Sequence, residues 1–235
     1  MTLQIALLGS NGVLLASDTR KLNAYPDWPS QDTEEEEKVI LSKDKSVAAA
    51  WSGTMPSREF LLGVVESFRK QWGEESSSLS ESCSTLWEAE KRERQSEDVD
   101  CTLLVANSQK RQIYKAFFLR GKIRIILHKE SHMRFGVSNG NDGNPACFFI
   151  YGYLSKNLVT VDNLVRLAAH YVLMGAKVNP LGVGGLTIHL SKDGNPFEEI
   201  PEHGIIQLMS ESNHLDRRIS EFLLTPLSAD RAFDL

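Results

Sequence analysis

Thr2 is the first residue of the chain with distinctive chemistry. Removal of Met1 would leave it with a hydroxyl and a free α-amine on one residue. Because an α-amine has a reference pKa of about 7.7–8.0, it can accept the hydroxyl proton near neutral pH and turn that oxygen into a nucleophile. Taken alone, a threonine at position two is more often just the start of a strand, so the residues around it decide. Other chemistries are poorly represented. The sequence has no H-E-x-x-H, no G-x-x-x-x-G-K-[ST], no G-x-G-x-x-G after a strand and no G-x-S-x-G. His128 and His132, in HKESH, lack further ligands at metal spacing and read as a strand end and its turn. The acidic run Glu34 to Glu37 lacks calcium-loop spacing and reads as a solvated loop face. No metal and no cofactor are expected.

The elements that must position Thr2 begin with TLQIALLGSNGVLLASDTR, residues 2–20, in which two apolar runs flank Asn11-Gly12. Asn-Gly favours a two-residue hairpin turn with positive φ at both positions, which predicts Ser10 opposite Val13, Ile5 opposite Asp18 and Thr2 opposite Lys21. Runs apolar on nearly every residue predict a sheet covered on both faces. A second hairpin is expected from Lys38–Leu41 and Ser46–Trp51 through Lys43-Asp44-Lys45, ending at Ser52-Gly53. If the hairpins are neighbours, Thr2, Asp18, Lys38 and Gly53 meet at one edge.

Further along, Pro56 suits the first turn of a helix whose stripe is Phe60, Leu61, Val64, Val65 and Phe68. Ser76 to Ser84 reads as a serine-rich connection, and Thr85 to Gln95 as a more exposed helix. Strands are predicted at 101–106, 112–118 and 122–128. After the loop SNGNDGNP, residues 138–145, comes the segment 146–154. Thr160 then caps a helix with Val161, Leu164, Val165, Ala168 and Val172 on one face and Gly175 as its stop. Gly184-Gly185 opens a strand over 186–190, closed by Asp193-Gly194. The tail suggests a short strand at 204–208 and a helix near 215–224. Paired helices between groups of antiparallel strands predict two stacked sheets with a helical layer on each outer side.

The pattern Thr2, Gly12-Val13-Leu14-Leu15-Ala16-Ser17-Asp18-Thr19-Arg20, Lys38-Val39-Ile40 and Ser52-Gly53 resembles the β-type subunits of the proteasome, within the N-terminal-nucleophile (Ntn) hydrolases. Phe149 to Leu154 and Gly182-Val183-Gly184-Gly185 extend the resemblance to about residue 195. It implies an α+β, four-layer αββα sandwich, with 1–235 as one domain and 196–235 as a less well matched extension. It also implies a threonine-type endopeptidase. Its catalytic group would be Thr2 as nucleophile, Lys38 beside the hydroxyl and Asp18 holding Lys38. The N–H of Gly53 would be the oxyanion donor, a job that side-chain identity hardly affects. Ser138 or Asn139 would support the α-amine, and Lys21 and Leu22 would pair with substrate backbone. A specificity pocket would be lined by Lys21, Ile40, Trp51 and Met55. The implied partners are identical or related subunits in a ring or double ring, a peptide or unfolded-protein substrate, and an ATP-dependent unfoldase as a candidate.

Asn179 or Pro180, and Val183, stand where the family has an aspartate and a serine near the amine. This keeps two alternatives in view: a non-catalytic structural subunit of the same fold, and an Ntn amidase acting on a small amide. A net charge of −5 gives no reason to expect nucleic acid or an anionic membrane. The apolar runs are far shorter than a membrane span and residues 1–20 lack a secretory signal, so a cytoplasmic location is expected. Three cysteines, Cys83, Cys101 and Cys147, without a C-x-x-C pair, read as reduced.

Overall fold

The computed structural model describes residues 2–23, 32–53, 56–72, 76–94, 100–119, 122–128, 134–135, 159–178 and 183–224. Two antiparallel sheets of five strands lie face to face. The first is ordered β10-β1-β2-β11-β12, from Arg134–Phe135, Gln4–Gly9, Gly12–Ser17, Thr187–Lys192 and Glu198–Glu199. The second runs β5-β6-β7-β8-β9, from Val39–Leu41, Val47–Gly53, Cys101–Asn107, Gln112–Leu119 and Lys122–His128. A two-stranded ribbon, β3 (Arg20–Asn23) with β4 (Asp32–Glu35), projects from the end of β2.

Period-2 alternation explains the layers. Ile5, Leu7, Leu14, Ala16 and Ile188 pack under helix α3 (Val161–Val178), whose Val161, Leu164, Val165, Ala168 and Val172 form the predicted stripe. Val47, Ala49, Trp51, Leu103, Val105 and Phe118 face helices α1 (Arg58–Lys70) and α2 (Ser76–Arg94). The opposite faces meet between the sheets as Ala6, Val13, Leu15, Ala48, Ala50, Leu104 and Ala106. Runs apolar on both faces therefore do mark sheets covered twice. The fold is α+β with four layers, as expected.

The first hairpin departs from its predicted register. Gly9 pairs with Gly12 and Ile5 with Ala16, so the turn is Ser10-Asn11 and every pairing is shifted by two residues. A shift of two keeps each side chain on its face, so the core pattern survives. Asn11 and Gly12 answer to other neighbours. Asn11 Oδ1 accepts from the Val161 amide at 2.9 Å, capping α3. A β-carbon on Gly12 would fall 2.0 Å from the Ser191 carbonyl oxygen on β11.

Other segments also differ from expectation. Ser76 to Ser84 is the first half of α2, because Leu79, Cys83, Trp87 and Glu90 recur on one buried side and outweigh the serine content. Pro56 lies ahead of α1, whose N-cap is Ser57. The acidic run is half strand: β4 pairs Glu34 with Lys21 and Glu35 with Arg20. Gly175 does not end α3. It lies inside the helix because a β-carbon there would come 2.6 Å from Leu3 Cδ2. The tail forms one helix, α4 (Glu202–Leu224), held on α3 by Arg166–Glu211 at 2.8 Å, Lys177–Asp216 at 2.5 Å and His170 Nδ1 to Ser212 Oγ at 2.8 Å. The segments 138–145 and 146–154 lie outside the described residues. No described helix is long and apolar enough to cross a membrane.

Candidate active site

The two hairpins are not neighbours in one sheet. β1-β2 belongs to the first sheet and β5-β6 to the second, so Thr2, Asp18 and Lys38 meet across the stack at one end of it. Thr2 precedes β1 and is half-buried. Its position is set by Leu3, whose side chain is buried in the α3 core and whose backbone is paired at both ends with Asp18. The Asp18 amide donates to the Leu3 carbonyl at 3.0 Å, and the Leu3 amide donates to Asp18 Oδ1 at 2.7 Å. Ser17 Oγ reinforces the turn by donating to the Asp18 carbonyl at 3.0 Å.

Lys38 arrives from the other sheet. It sits just before β5, where its carbonyl accepts from the Trp51 amide at 3.0 Å, and its side chain is 4 % exposed. The ammonium donates to Asp18 Oδ2 at 2.8 Å, to the Arg20 carbonyl, and to Thr2 Oγ1 at 3.4 Å. Three N–H donors thus meet three acceptors, a full set for a lysine ammonium. Burial pushes the Asp18 carboxyl above its ordinary value of 3.8, against the pull of the Lys38 charge, the Lys38 hydrogen bond and the Leu3 amide. With no side-chain exposure, Asp18 depends among the described residues on these donors for its solvation.

Gly53 ends β6, opposite Cys101 on β7 and two residues beyond the Trp51 that faces Lys38. It is the exposed residue of an otherwise buried strand, so its backbone opens on the outside at this end of the stack. Its φ is +115°, and a β-carbon would fall 2.2 Å from the Asp100 carbonyl oxygen. Side-chain identity at this position therefore matters a great deal, contrary to the sequence expectation, since only glycine fits both the conformation and the space.

The segment 183–185 locks the end of β2. The Thr19 and Arg20 amides both donate to the Gly184 carbonyl at 2.9 Å. A β-carbon on Gly184 would lie 2.3 Å from Arg20 Cζ, and one on Gly185, at φ +65°, would lie 1.9 Å from Thr19 Oγ1. These contacts hold the Arg20 carbonyl that accepts from Lys38. Sequence reasoning missed that carbonyl, the Leu3 amide and this clamp; the adjacent Gly-Gly was the available signal. Val183 is 2 % exposed and belongs to the same apolar cluster as Leu3 and Tyr171.

The remaining predicted site residues fare differently. Lys21 and Leu22 lie on β3, paired in register with Glu34 and Thr33 of β4. Ile40 and Trp51 are buried in the core beneath α1 and α2. Met55, Ser138, Asn139, Asn179, Pro180, His132 and Cys147 lie outside the described residues. Among the described residues, no group of three or more His, Cys, Asp or Glu could hold a metal ion. Cys83 and Cys101 are free and buried; burial pushes the Cys83 thiol up to about 12.

The same architecture occurs in solved structures. Anbu, an ancestral beta-subunit, from Yersinia bercovieri aligns with a TM-score of 0.63 at 15 % identity, covering 97 % of this chain and 99 % of that one. This chain shares the overall fold of that beta-subunit. An Anbu mutant from Hyphomicrobium sp. strain MC1 aligns with a TM-score of 0.58 at 10 % identity over 97 % of this chain and 100 % of that one. Eukaryotic HslV from Trypanosoma brucei aligns at 0.53 and 12 % identity over 81 % and 99 %. No protein-family model and no curated protein sequence matches the chain. At these identities the likeness concerns the fold.

Proposed function

We propose that the chain is a threonine-type peptidase subunit in which Thr2, freed by removal of Met1, is the nucleophile. The observation that carries this reading is the buried Lys38 ammonium, donating at once to Asp18 Oδ2, the Arg20 carbonyl and Thr2 Oγ1. A positive charge against Thr2 Oγ1 favours its deprotonated form, and the α-amine of the same residue takes the proton. The oxygen attacks a peptide carbonyl, and the N–H of Gly53 stabilises the oxyanion of the tetrahedral intermediate. The amine returns its proton to the leaving nitrogen, leaving an acyl-enzyme on Thr2 Oγ1. Water then attacks that ester by the same route and regenerates the hydroxyl. Asp18 acts through Lys38, and through the Leu3 amide it also fixes the peptide that follows the nucleophile.

On this reading the edge of β3 that, among the described residues, does not pair with β4 receives substrate at Lys21 and Leu22 as an added strand, while Met55 lines the specificity pocket and Ser138 and Asn139 support the amine on sequence position alone. The proteasome-like fold supports assembly with identical or related subunits into a ring that encloses the sites, in the cytoplasm, with an unfoldase supplying unfolded protein. Intact mass tests the first requirement: a population that fully retains Met1 excludes the activity for that form. Labelling of Thr2 by an epoxyketone or β-lactone probe, with a Thr2→Ala control, tests the second. The expected result is one adduct per chain on Thr2, and absence of labelling in a chain lacking Met1 overturns the peptidase reading.

One observation favours a second reading, a structural subunit of the same fold. Val183 is packed in the apolar core where a serine would offer a hydrogen bond to the amine. Assembly without labelling would decide for it.

A further inference from the structure

The end of the sheet stack opposite Thr2 carries the turns between β1 and β2, β5 and β6, β7 and β8, and β11 and β12, and these turns are tied together. The Asp193 amide donates to the Asn11 carbonyl at 2.7 Å, the Ser108 amide to the Ser46 carbonyl at 2.9 Å and the Phe197 amide to the Lys45 carbonyl at 2.7 Å. Arg111 reaches from the β7–β8 turn to the Ser10 carbonyl. Two of the turns present exposed cations, Lys43, Lys45, Lys110 and Arg111, in a chain whose net charge is −5. Asp44 does little to neutralise them, because its Oδ1 accepts from Ser42 Oγ and Ser46 Oγ at 2.7 Å and its Oδ2 faces Arg69 at 3.8 Å. Asp193 is exposed among them. Lys45 and Arg111 hold φ of +56° and +48°, a region where glycine or asparagine is less strained.

Beside these turns lies an edge of opposite sign. β12, at the end of the first sheet, consists of Glu198 and Glu199, both exposed. Next to it opens a cavity of about 310 Å³, walled by Leu190, Pro196, Ile200 and Pro201 together with the two glutamates. Lys192 also lines it, but its ammonium is held by Asp162 at 2.6 Å. Among the described residues, neither glutamate forms an ion pair, and neither do Lys43, Lys45 and Lys110. Apolar walls with carboxylates beside them suit the aliphatic stem and charged head of a lysine. An acidic partner would match the turns alone, and a basic partner the edge alone. A surface bearing both signs side by side is complementary to itself turned about a two-fold axis.

We infer that this end of the molecule is a contact between two copies of the chain, the lysines of the 43–45 and 109–111 turns of each copy docking on Glu198, Glu199 and the adjoining cavity of the other. The inference names a surface for the assembly proposed above and is independent of the chemistry at Thr2. Exposed ion pairs are individually weak and are screened by salt, so the contact gains from having several of them around an apolar pocket.

Sedimentation velocity of the full chain over a range of concentrations tests it. The parent should associate, and its Kd should rise at least about tenfold between about 50 mM and about 500 mM NaCl. Lys45→Glu with Lys110→Glu, and separately Glu198→Lys with Glu199→Lys, should each weaken association at least tenfold at low salt, because like charges then face each other. Mixing the two reversed proteins should restore association to within about threefold of the parent, since each again meets its opposite. Lys45→Gly keeps the test open should a reversed variant fail to fold: it removes a charge and relieves the backbone, so it should weaken association while unfolding at no lower a urea concentration than the parent. Association unchanged by both reversals, or a mixture no stronger than its components, overturns this contact and leaves assembly through another surface standing. A parent that stays monomeric at low salt overturns both the contact and the proposed assembly, and labelling at Thr2 is judged separately from either.

Discussion

Lys38→Met should be more destabilising at neutral pH than in acid, for a reason that can be worked from the site. The substitution keeps a long side chain at a 4 % exposed position but removes the ammonium from three acceptors. Two of them are tolerant: Thr2 Oγ1 is half-buried, and the Arg20 carbonyl is a neutral group. The third is the carboxylate of Asp18, whose side chain has no exposure and would keep, among the described residues, the Leu3 amide as its donor. Removing one member of a buried pair costs about 3–5 kcal/mol, since the other charge is left uncompensated. With an m value of about 3 kcal/mol/M in urea, the unfolding midpoint should fall by about 1–1.7 M at pH 7.5.

Protonation of Asp18 relieves that penalty. Burial already holds its carboxyl above 3.8, and loss of the Lys38 charge raises it further. The deficit of Lys38→Met should therefore shrink as pH falls toward 5. Adding Asp18→Asn supplies a neutral group of the same shape whose oxygen still accepts from the Leu3 amide. The double variant should return to within about 1–2 kcal/mol of the parent, because a buried ion pair replaced at both ends is often nearly neutral. Both variants should be inert to the Thr2 probe. A single variant costing less than about 1 kcal/mol at pH 7.5, or a double variant as unstable as the single, would refute the coupling read from the geometry.

The Asp18 carboxyl, followed by carbon NMR, should titrate above 3.8. Since the folded value lies above the unfolded one, the burial cost is fully present above the folded value and is relieved as pH falls through it, so Asp18 makes acid less destabilising than for an exposed carboxylate. Gly53→Ala should cost about 1–3 kcal/mol in strain from φ +115° and the Asp100 carbonyl, and lower kcat by about 10²–10³ through the displaced N–H; a folded variant of parental kcat would remove Gly53 from the oxyanion site. Gly12→Ala, which must separate β2 from β11, should lose about 3 kcal/mol in urea unfolding, against about 1 kcal/mol for Asn11→Ala, which removes only the α3 cap.

Sequence patterning carried the layers because both faces of each strand had to be apolar in a four-layer stack. It failed where a residue's neighbour was remote in the chain. Asn11-Gly12 looked like a turn on local grounds, yet its asparagine caps a helix 150 residues away and its glycine admits β11. Gly175 looked like a helix stop and is instead the space that Leu3 fills. The serine-rich start of α2 is helical because Leu79, Cys83 and Trp87 are buried, a tertiary gain that outweighs serine's local preference for turns. In the candidate site, Thr2, Asp18 and Lys38 were named through the family resemblance, while the hairpin arithmetic meant to bring them to one edge was off by two residues and assumed neighbouring hairpins. The backbone groups that complete it were not legible, since every residue type carries them.

The distribution of polar contacts around Thr2 is uneven in a way that bears on which reading survives. On the hydroxyl side the chain keeps two buried charges together, the Lys38 ammonium and the Asp18 carboxylate, at a position where apolar residues would fold as well. It also spends the Gly184 carbonyl and two glycines on fixing the Arg20 segment that supplies the third acceptor. None of this is needed to stack two sheets, whose inner layer is packed by apolar residues such as Ala6, Val13, Leu15, Ala48, Ala50 and Leu104. A purely structural subunit gains nothing from a desolvated ion pair aimed at a hydroxyl. On the amine side, replacing serine by Val183 trades a hydrogen bond for apolar contact in the cluster that seats Leu3. On the peptidase reading, that exchange gives up a hydrogen bond on the amine side while securing Leu3 beside the proposed nucleophile, and its expected consequence is a slower enzyme, not the loss of the charged pair that a scaffold would discard first.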